Sequence, residues 1–214
     1  MNSYYRNKIA FKPNDNPKKI FLAEGDSEVH FLTKIFTTKG FNSNDYAIFC
    51  FKGIDNLQVT FKALDGYEIF YQAQSIGIII DADDDPQRRL QSTSQILKNF
   101  NLIDRNAPFE DGRIFIYNNM RIGLFISPGK SRIGCIETMI QEEIKTKPEF
   151  ECFQMCEKCL TEKYNYSLSS KFIAQIYISL KKPRLCGAGR GFESNIFNIE
   201  HEAYKEAVDF LVSL

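Results

Sequence analysis

Two aspartates follow an apolar run at a spacing that is typical of metal-binding carboxylates. Asp81 and Asp83 come directly after residues 77–80, whose β-branched side chains predict a buried strand of a parallel sheet. Side chains two apart on a strand point to the same side. Both carboxylates are therefore expected at the carboxyl edge of the sheet, where open α/β folds bind ligands. A divalent cation would relieve their repulsion; a solvated acidic turn that caps the next helix is the alternative interpretation.

Two further segments add acids to the same predicted edge. Glu24 and Gly25 follow a short apolar strand at residues 19–23 and precede a run with helical spacing. Glu137 lies near the start of a helix after the last predicted strand. Because parallel strand ends converge on one edge, acids far apart in the chain can meet there. Such oxygen-rich clusters suit Mg²⁺ or Mn²⁺, which serve phosphoryl chemistry by polarising a phosphate and activating water.

The order of strand and helix patterns indicates the fold class. Residues 18–148 alternate between the two patterns, which predicts an α/β domain with a mostly parallel sheet flanked by helices. Residues 1–17 are predicted to be a loosely held lead-in, and residues 149–214 a helical C-terminal extension packed on the domain. Within this extension, the glycine-rich residues 187–191 are predicted to form a loop. The expected strands are residues 19–23, 46–51, 75–80, 114–117 and 122–126, the last two joined as a hairpin.

The composition limits the classes of partner. The 214 residues include 27 basic and 27 acidic side chains, so binding of nucleic acid would need a local basic patch or help from another chain. No apolar run approaches the roughly 18 residues that cross a membrane, and residues 1–7 lack the apolar core of a secretory signal. We therefore expect a cytoplasmic protein without a membrane partner, whose six cysteines are reduced thiols.

Three of the cysteines form a motif of their own. Cys152, Cys156 and Cys159 have the spacing of some iron–sulfur ligands, but they lie on a predicted helix late in the chain. There they share one face, which predicts small buried thiols. A zinc or cluster site that also uses Cys186 is the alternative.

The acidic segments resemble those of a known domain family. Residues 21–28 (Phe-Leu-Ala-Glu-Gly-Asp-Ser-Glu) and 78–83 (Ile-Ile-Ile-Asp-Ala-Asp) resemble the TOPRIM pattern of topoisomerases, bacterial primases and OLD-family (overcoming lysogenization defect) nucleases. With Glu28 as its second acid, the first segment is similar to the Glu-Gly-x-x-Glu form of the OLD-like branch. Residues 123–137 resemble the Pro-then-Gly-x-x-Glu segment of small stand-alone proteins of that branch. The resemblance covers about residues 18–145, and Ala23 departs from the usual valine.

The resemblance implies a Rossmann-like sheet and a set of site residues. Asp81 and Asp83 would hold metal, and Glu24 would be a metal ligand or a general acid/base. Glu28 and Glu137 would complete a second metal position, with a solvated helix face as the alternative for both. A basic residue is expected near the metals, and Lys130 is assigned to steady the phosphate charge. The residues expected to contact nucleic acid are Lys130, Arg132, Arg184 and Arg190.

These expectations favour a metal-dependent nuclease that acts on DNA or RNA. The chain has no room for the additional domains that a topoisomerase or a primase needs, and hydrolysis by activated water is the simplest chemistry left. The OLD-like resemblance implies an ATPase regulator and a role in defence against phage. Residues 123–131 are one residue too long for a Walker A loop, so the ATPase is expected to be a separate protein. An RNA-maturing TOPRIM ribonuclease, a catalytically silent module that binds a partner or a nucleotide, and a homo-oligomer all stay open.

Overall fold

A single mixed sheet organises the protein. The computed structural model describes residues 5–6, 16–106 and 108–214. Within them six strands pair in the order β1-β3-β2-β4-β6-β5. The strands are β1 (Tyr5–Arg6), β2 (Lys19–Ala23), β3 (Tyr46–Cys50), β4 (Ser75–Asp81), β5 (Ile114–Tyr117) and β6 (Met120–Ser127). All neighbours are parallel except β5, which runs antiparallel to β6 at one edge. The predicted Rossmann-like α/β class is confirmed.

Helices cover both faces of the sheet. They are α1 (Asp26–Thr38), α2 (Leu57–Asp65), α3 (Glu68–Gln72), α4 (Pro86–Asn99), α5 (Ile136–Ile144), α6 (Phe150–Tyr164), α7 (Ser170–Lys181), α8 (Ala188–Glu193) and α9 (Lys205–Ser213), with 3-10 turns at Ile54–Asn56 and Glu202–Tyr204. Side chains alternate along each strand, so Phe21 and Ile79 join one core under α1 and α5–α9, while Leu22 and Ile78 join the other under α2–α4. No helix in the described ranges is long and apolar enough to cross a membrane.

Most predicted elements appear, and the exceptions have physical reasons. The predicted hairpin is confirmed, with Asn118 and Asn119 in the left-handed region at its turn. Residues 187–191 were predicted to be a loop, but most of them lie in α8, so that prediction is wrong. A Cβ at Gly189 would lie 2.4 Å from Cδ2 of His30, so glycine there lets α8 pack closely on α1. Of the predicted lead-in, residues 1–4 and 7–15 lie outside the described residues, and Tyr5–Arg6 form β1.

The C-terminal helix α9 lies over a depression in the centre of the sheet. Gly77 of β4 and Gly123 of β6 are register partners. A Cβ at Gly123 would lie 2.7 Å from Cζ of Phe210, and one at Gly77 would lie 2.9 Å from Cδ1 of Leu214. The absence of side chains at both positions therefore lets α9 and Leu214 pack directly on β4 and β6, and α9 forms part of the domain core.

We expect Gly123→Ala to destabilise the protein by about 1–3 kcal/mol, because the added methyl group overlaps the Phe210 ring unless α9 shifts. Urea unfolding followed by circular dichroism measures the effect. Gly66→Ala is the matched control, since Gly66 has a φ of −74° and a Cβ there would lie at an ordinary 3.7 Å from the carbonyl oxygen of Ala63. Equal free energies of unfolding for the two variants would contradict the packing of α9 on Gly123.

Candidate functional site

Glu24 connects three segments at the carboxyl edge of the sheet. It follows β2 directly, and Gly25 opens the turn into α1. Its Oε1 accepts a hydrogen bond from the N–H of Ile54 at 3.2 Å, and its Oε2 accepts one from the N–H of Asp81 at 3.0 Å. Each carboxylate oxygen has a second lone pair. The Glu24 carboxylate is therefore fixed in place and can still accept a further ligand.

Asp81 ends β4 beside this carboxylate. Its Oδ1 accepts a hydrogen bond from the N–H of Ile136, the first residue of α5, at 3.1 Å. Burial, reinforced by the neighbouring charges of Glu28, Glu137 and Glu24, raises the pKa of Asp81 to about 9. This side chain is consequently the place where the negative charge of the site is most crowded.

Glu28 is a buried acid in the first turn of α1. Its side chain is 3% exposed, and a Cβ at Gly25 would lie 2.8 Å from its Oε2, so the carboxylate folds back over the start of the helix. Burial raises the pKa of Glu28 to about 7; the local backbone N–H groups lower this pKa, and the charges of Glu137 and Glu24 raise it. A solvated helix face does not describe this residue.

Glu137 completes the group from the first turn of α5. It is half-buried and lies beside the thiol of Cys135. Burial, followed by the charge of Glu137, raises the pKa of Cys135 to about 12. We call the four carboxylates that influence one another at this edge the acid cluster; they are Glu24, Glu28, Asp81 and Glu137.

Asp83 has partners other than the acid cluster, in contrast to the expected pairing with Asp81. The strand stops at Asp81, and Asp83 has a φ of 49°. Its backbone pairs with that of Gly134 through hydrogen bonds of 2.8 and 2.7 Å. Its carboxylate forms an ion pair with Arg89 and lines a separate cleft of about 510 Å³. The strand geometry from which a shared side was predicted therefore ends at Asp81 and does not extend to Asp83.

The basic residues predicted for the site lie elsewhere. Lys130 and Arg132 line a cleft of about 650 Å³ that no member of the acid cluster lines. The backbone N–H of Lys130 donates to Oε1 of Glu206 at 3.3 Å, and Arg132 forms an ion pair with Glu142. Arg184 is exposed, and Arg190 pairs with Glu193. These four basic residues therefore have contacts other than the acid cluster.

Lys171 is the cation that sequence reasoning missed. It lies in the first turn of α7, a helix that the sequence placed in the extension. Helix α7 is close to the start of α5, since Oγ of Ser170 lies 4.0 Å from Sγ of Cys135. Partial burial lowers the pKa of the Lys171 ammonium, but the charges of four nearby groups outweigh burial and raise this pKa above its usual value. No local pattern predicts which helix packs on α5. The groups that raise its pKa are Cys135, Glu137, Asp81 and Asp83.

Comparisons with known proteins give a family and a related fold. The model of the family "Protein of unknown function (DUF3226)" matches residues 18–214. The crystal structure of hypothetical protein PH0156 from Pyrococcus horikoshii OT3 is similar with a TM-score of 0.61 and 13% identity, over 91% of this chain and 94% of that one. At this identity the similarity shows the fold alone. No curated protein matches the chain.

The crowding at Asp81 makes stability depend on pH. Its folded pKa of about 9 lies above the ordinary 3.8, so the carboxyl group favours folding when protonated, and this stability is lost as pH rises between those values. With chelator present, we expect Asp81→Asn to be more stable than wild type by about 0.5–2 kcal/mol at pH 8, with a smaller difference at pH 5. Urea unfolding at both pH values measures it.

Asp84→Asn is the control for this prediction, because Asp84 is exposed and lies outside the acid cluster. Its stability relative to wild type should not change between the two pH values. An Asp81→Asn variant that is less stable than wild type at pH 8 would contradict the crowding of charge at this site.

Proposed function

This chain belongs to the DUF3226 family of proteins of unknown function, and we propose that it is a divalent-metal-dependent nuclease that hydrolyses phosphodiester bonds of DNA or RNA. The observation that carries the proposal is the acid cluster, in which carboxylates from two strand ends and two helices meet at the carboxyl edge of the sheet. Charges of one sign in a partly buried site repel strongly. A bound divalent cation would offset that repulsion and is a ligand typical of such an edge.

The donors of the acid cluster fit Mg²⁺ or Mn²⁺. Carboxylate oxygens are the hard ligands that both ions prefer. Backbone N–H groups fix Glu24 and Asp81 and leave lone pairs free on their oxygens. Within the described parts of the chain, no three His, Cys, Asp or Glu side chains already surround a common metal position. Binding would therefore require rotation of some of these side chains.

Each residue has a proposed role. Asp81 and Glu24 would hold the ion, with Glu24 also placed to act as a general acid/base, and Glu28 and Glu137 would complete a second position. The ion would supply positive charge for the phosphate oxygens and activate a water. Lys171 would bind the phosphate, the role that the resemblance assigned to Lys130, because its ammonium lies in the field of the acid cluster.

The wider biological setting rests on the sequence resemblance alone. A TOPRIM domain of the OLD-like branch would act with a separate ATPase in defence against phage. The balance of 27 basic and 27 acidic residues favours nucleic-acid binding that is assisted by such a partner or by a second copy of the chain. An RNA-maturing ribonuclease would use the same acids on a structured RNA.

One observation favours a second function, a catalytically silent TOPRIM module that binds a partner or a nucleotide. Three carboxylate oxygens of Glu24 and Asp81 already accept backbone hydrogen bonds. In a silent module these bonds would serve to hold the strand ends together, and raised pKa values would keep part of the acid cluster neutral.

We expect the purified protein to cleave plasmid DNA or structured RNA with Mg²⁺ or Mn²⁺ and not with chelator. Glu24→Gln and Asp81→Asn should slow cleavage by about 100-fold or more, because each replaces a carboxylate that would hold the ion with a neutral amide. Asp84→Asn, a neutralised acid outside the acid cluster, is the matched control and should cleave at the wild-type rate. Intact substrates under every condition, also with a co-encoded ATPase, would favour the silent module.

We expect Lys171→Met to slow cleavage by roughly 100-fold while the affinity for Mn²⁺ is retained, since a cation is lost and no metal ligand is. Single-turnover rates and a Mn²⁺ titration separate the two effects. Lys130→Met is the matched control, because Lys130 lines a cleft that no member of the acid cluster lines. Slow cleavage by the Lys130 variant together with normal cleavage by the Lys171 variant would restore the assignment that the resemblance gave.

A further inference from the structure

Helix α6 presents a line of thiols to solvent. Cys152, Cys156 and Cys159 are all free and exposed, so the prediction that they are buried is wrong. Their spacing does place the three cysteines on one face of α6. The face that packs on the core is a different one, formed by Phe153 and Leu160 and rotated by roughly 100° about the helix axis from the cysteines. Cysteine is among the residues most often buried. A line of three on an exposed helix face is therefore unusual for a face with a purely structural role.

Helix geometry decides what neighbouring thiols of this line can do. Residues three or four apart have Cβ atoms about 5–6 Å apart, whereas a disulfide needs about 3.5–4.5 Å. Two metal–sulfur bonds of about 2.3 Å let the sulfur atoms lie roughly 4 Å apart, and the Cβ atoms lie farther apart still. A neighbouring pair can thus hold a metal ion on an intact helix, while a disulfide would distort it.

The same geometry excludes a site that uses all three thiols. Cys152 and Cys159 are seven residues apart, which is about 10.5 Å along the helix, more than twice the span of two metal–sulfur bonds. In agreement, no group of three or more potential ligands in the described ranges is arranged around a metal position. Cys156 lies between the outer two cysteines, so it belongs to both possible pairs.

We propose that α6 binds one soft, thiophilic metal ion through two thiolates, which are Cys156 with either Cys152 or Cys159. Thiolates select ions such as Cu⁺ and Zn²⁺ over Mg²⁺, so this site is chemically distinct from the acid cluster. Each thiol releases its proton to solvent as its sulfur–metal bond forms. Water or a donor from another molecule completes the coordination of an ion that requires more than two ligands.

A titration of the fully reduced protein with Cd²⁺ tests this proposal. The ultraviolet charge-transfer absorbance of cadmium thiolate reports sulfur ligands only, so carboxylates alone do not contribute. Because the thiol of Cys135 lies beside Glu137, every variant is compared in a Cys135→Ser background, which removes any thiolate signal from the acid cluster. We expect one ion per chain. Cys156→Ser should weaken binding by at least about 10-fold, whereas Cys152→Ser and Cys159→Ser should each bind within a few-fold of wild type, because one pair remains. The double variant Cys152→Ser/Cys159→Ser should behave like Cys156→Ser.

Cys186→Ser is the matched control, since Cys186 is the other exposed cysteine and lies before α8. Far-ultraviolet circular dichroism verifies that each variant is folded. Several results would overturn the proposal: no thiolate absorbance in wild type, unchanged binding by Cys156→Ser, equal loss in all three single variants, or loss in the control. None of these outcomes depends on nuclease activity, so the thiol site and the proposed nuclease activity are tested independently.

Discussion

The carboxylate of Glu24 holds together the edge on which the rest of the site depends. Parallel strands lose their ladder partners where they end, and buried backbone N–H groups need acceptors. Glu24 supplies both of its oxygens, one to Ile54 in the turn after β3 and one to Asp81 at the end of β4. A partly buried polar group such as this side chain is tolerated when hydrogen bonds replace the lost water. The same bonds that stabilise the strand ends thus fix a negative group where a ligand would bind.

Asp81 and Glu28 are compensated less completely than Glu24. Asp81 accepts one backbone hydrogen bond, from Ile136, and Glu28 depends on the N–H groups at the start of α1. Two ways of relieving the excess negative charge exist: uptake of protons, expressed in the raised pKa values of both groups, or a bound cation. A site in which protons and a cation compete for the same oxygens binds metal more strongly as pH rises.

The sequence predicts the features of this edge that local rules determine. It does not predict the features that depend on how helices pack together. The apolar run before Asp81 and the turn at Gly25 place two acids at parallel strand ends, because strand ends in an α/β sheet converge. The rule of alternating side chains fails at Asp83 because the strand ends two residues earlier. For Lys171 and the thiols of α6, periodicity predicts which residues share a helix face. It does not predict which face meets the core, since that depends on neighbouring helices.

The position of Asp83 illustrates how the magnitudes of interactions decide its role. Its ion pair with Arg89 is partly exposed, with 51% of the Asp83 side chain accessible to solvent. Exposed pairs of this kind contribute about 0–1 kcal/mol. A divalent ion carries twice the charge of the guanidinium, so in the same surroundings it attracts the carboxylate about twice as strongly at equal distance. The pair with Arg89 is therefore too weak by itself to keep Asp83 from a cation bound by Asp81.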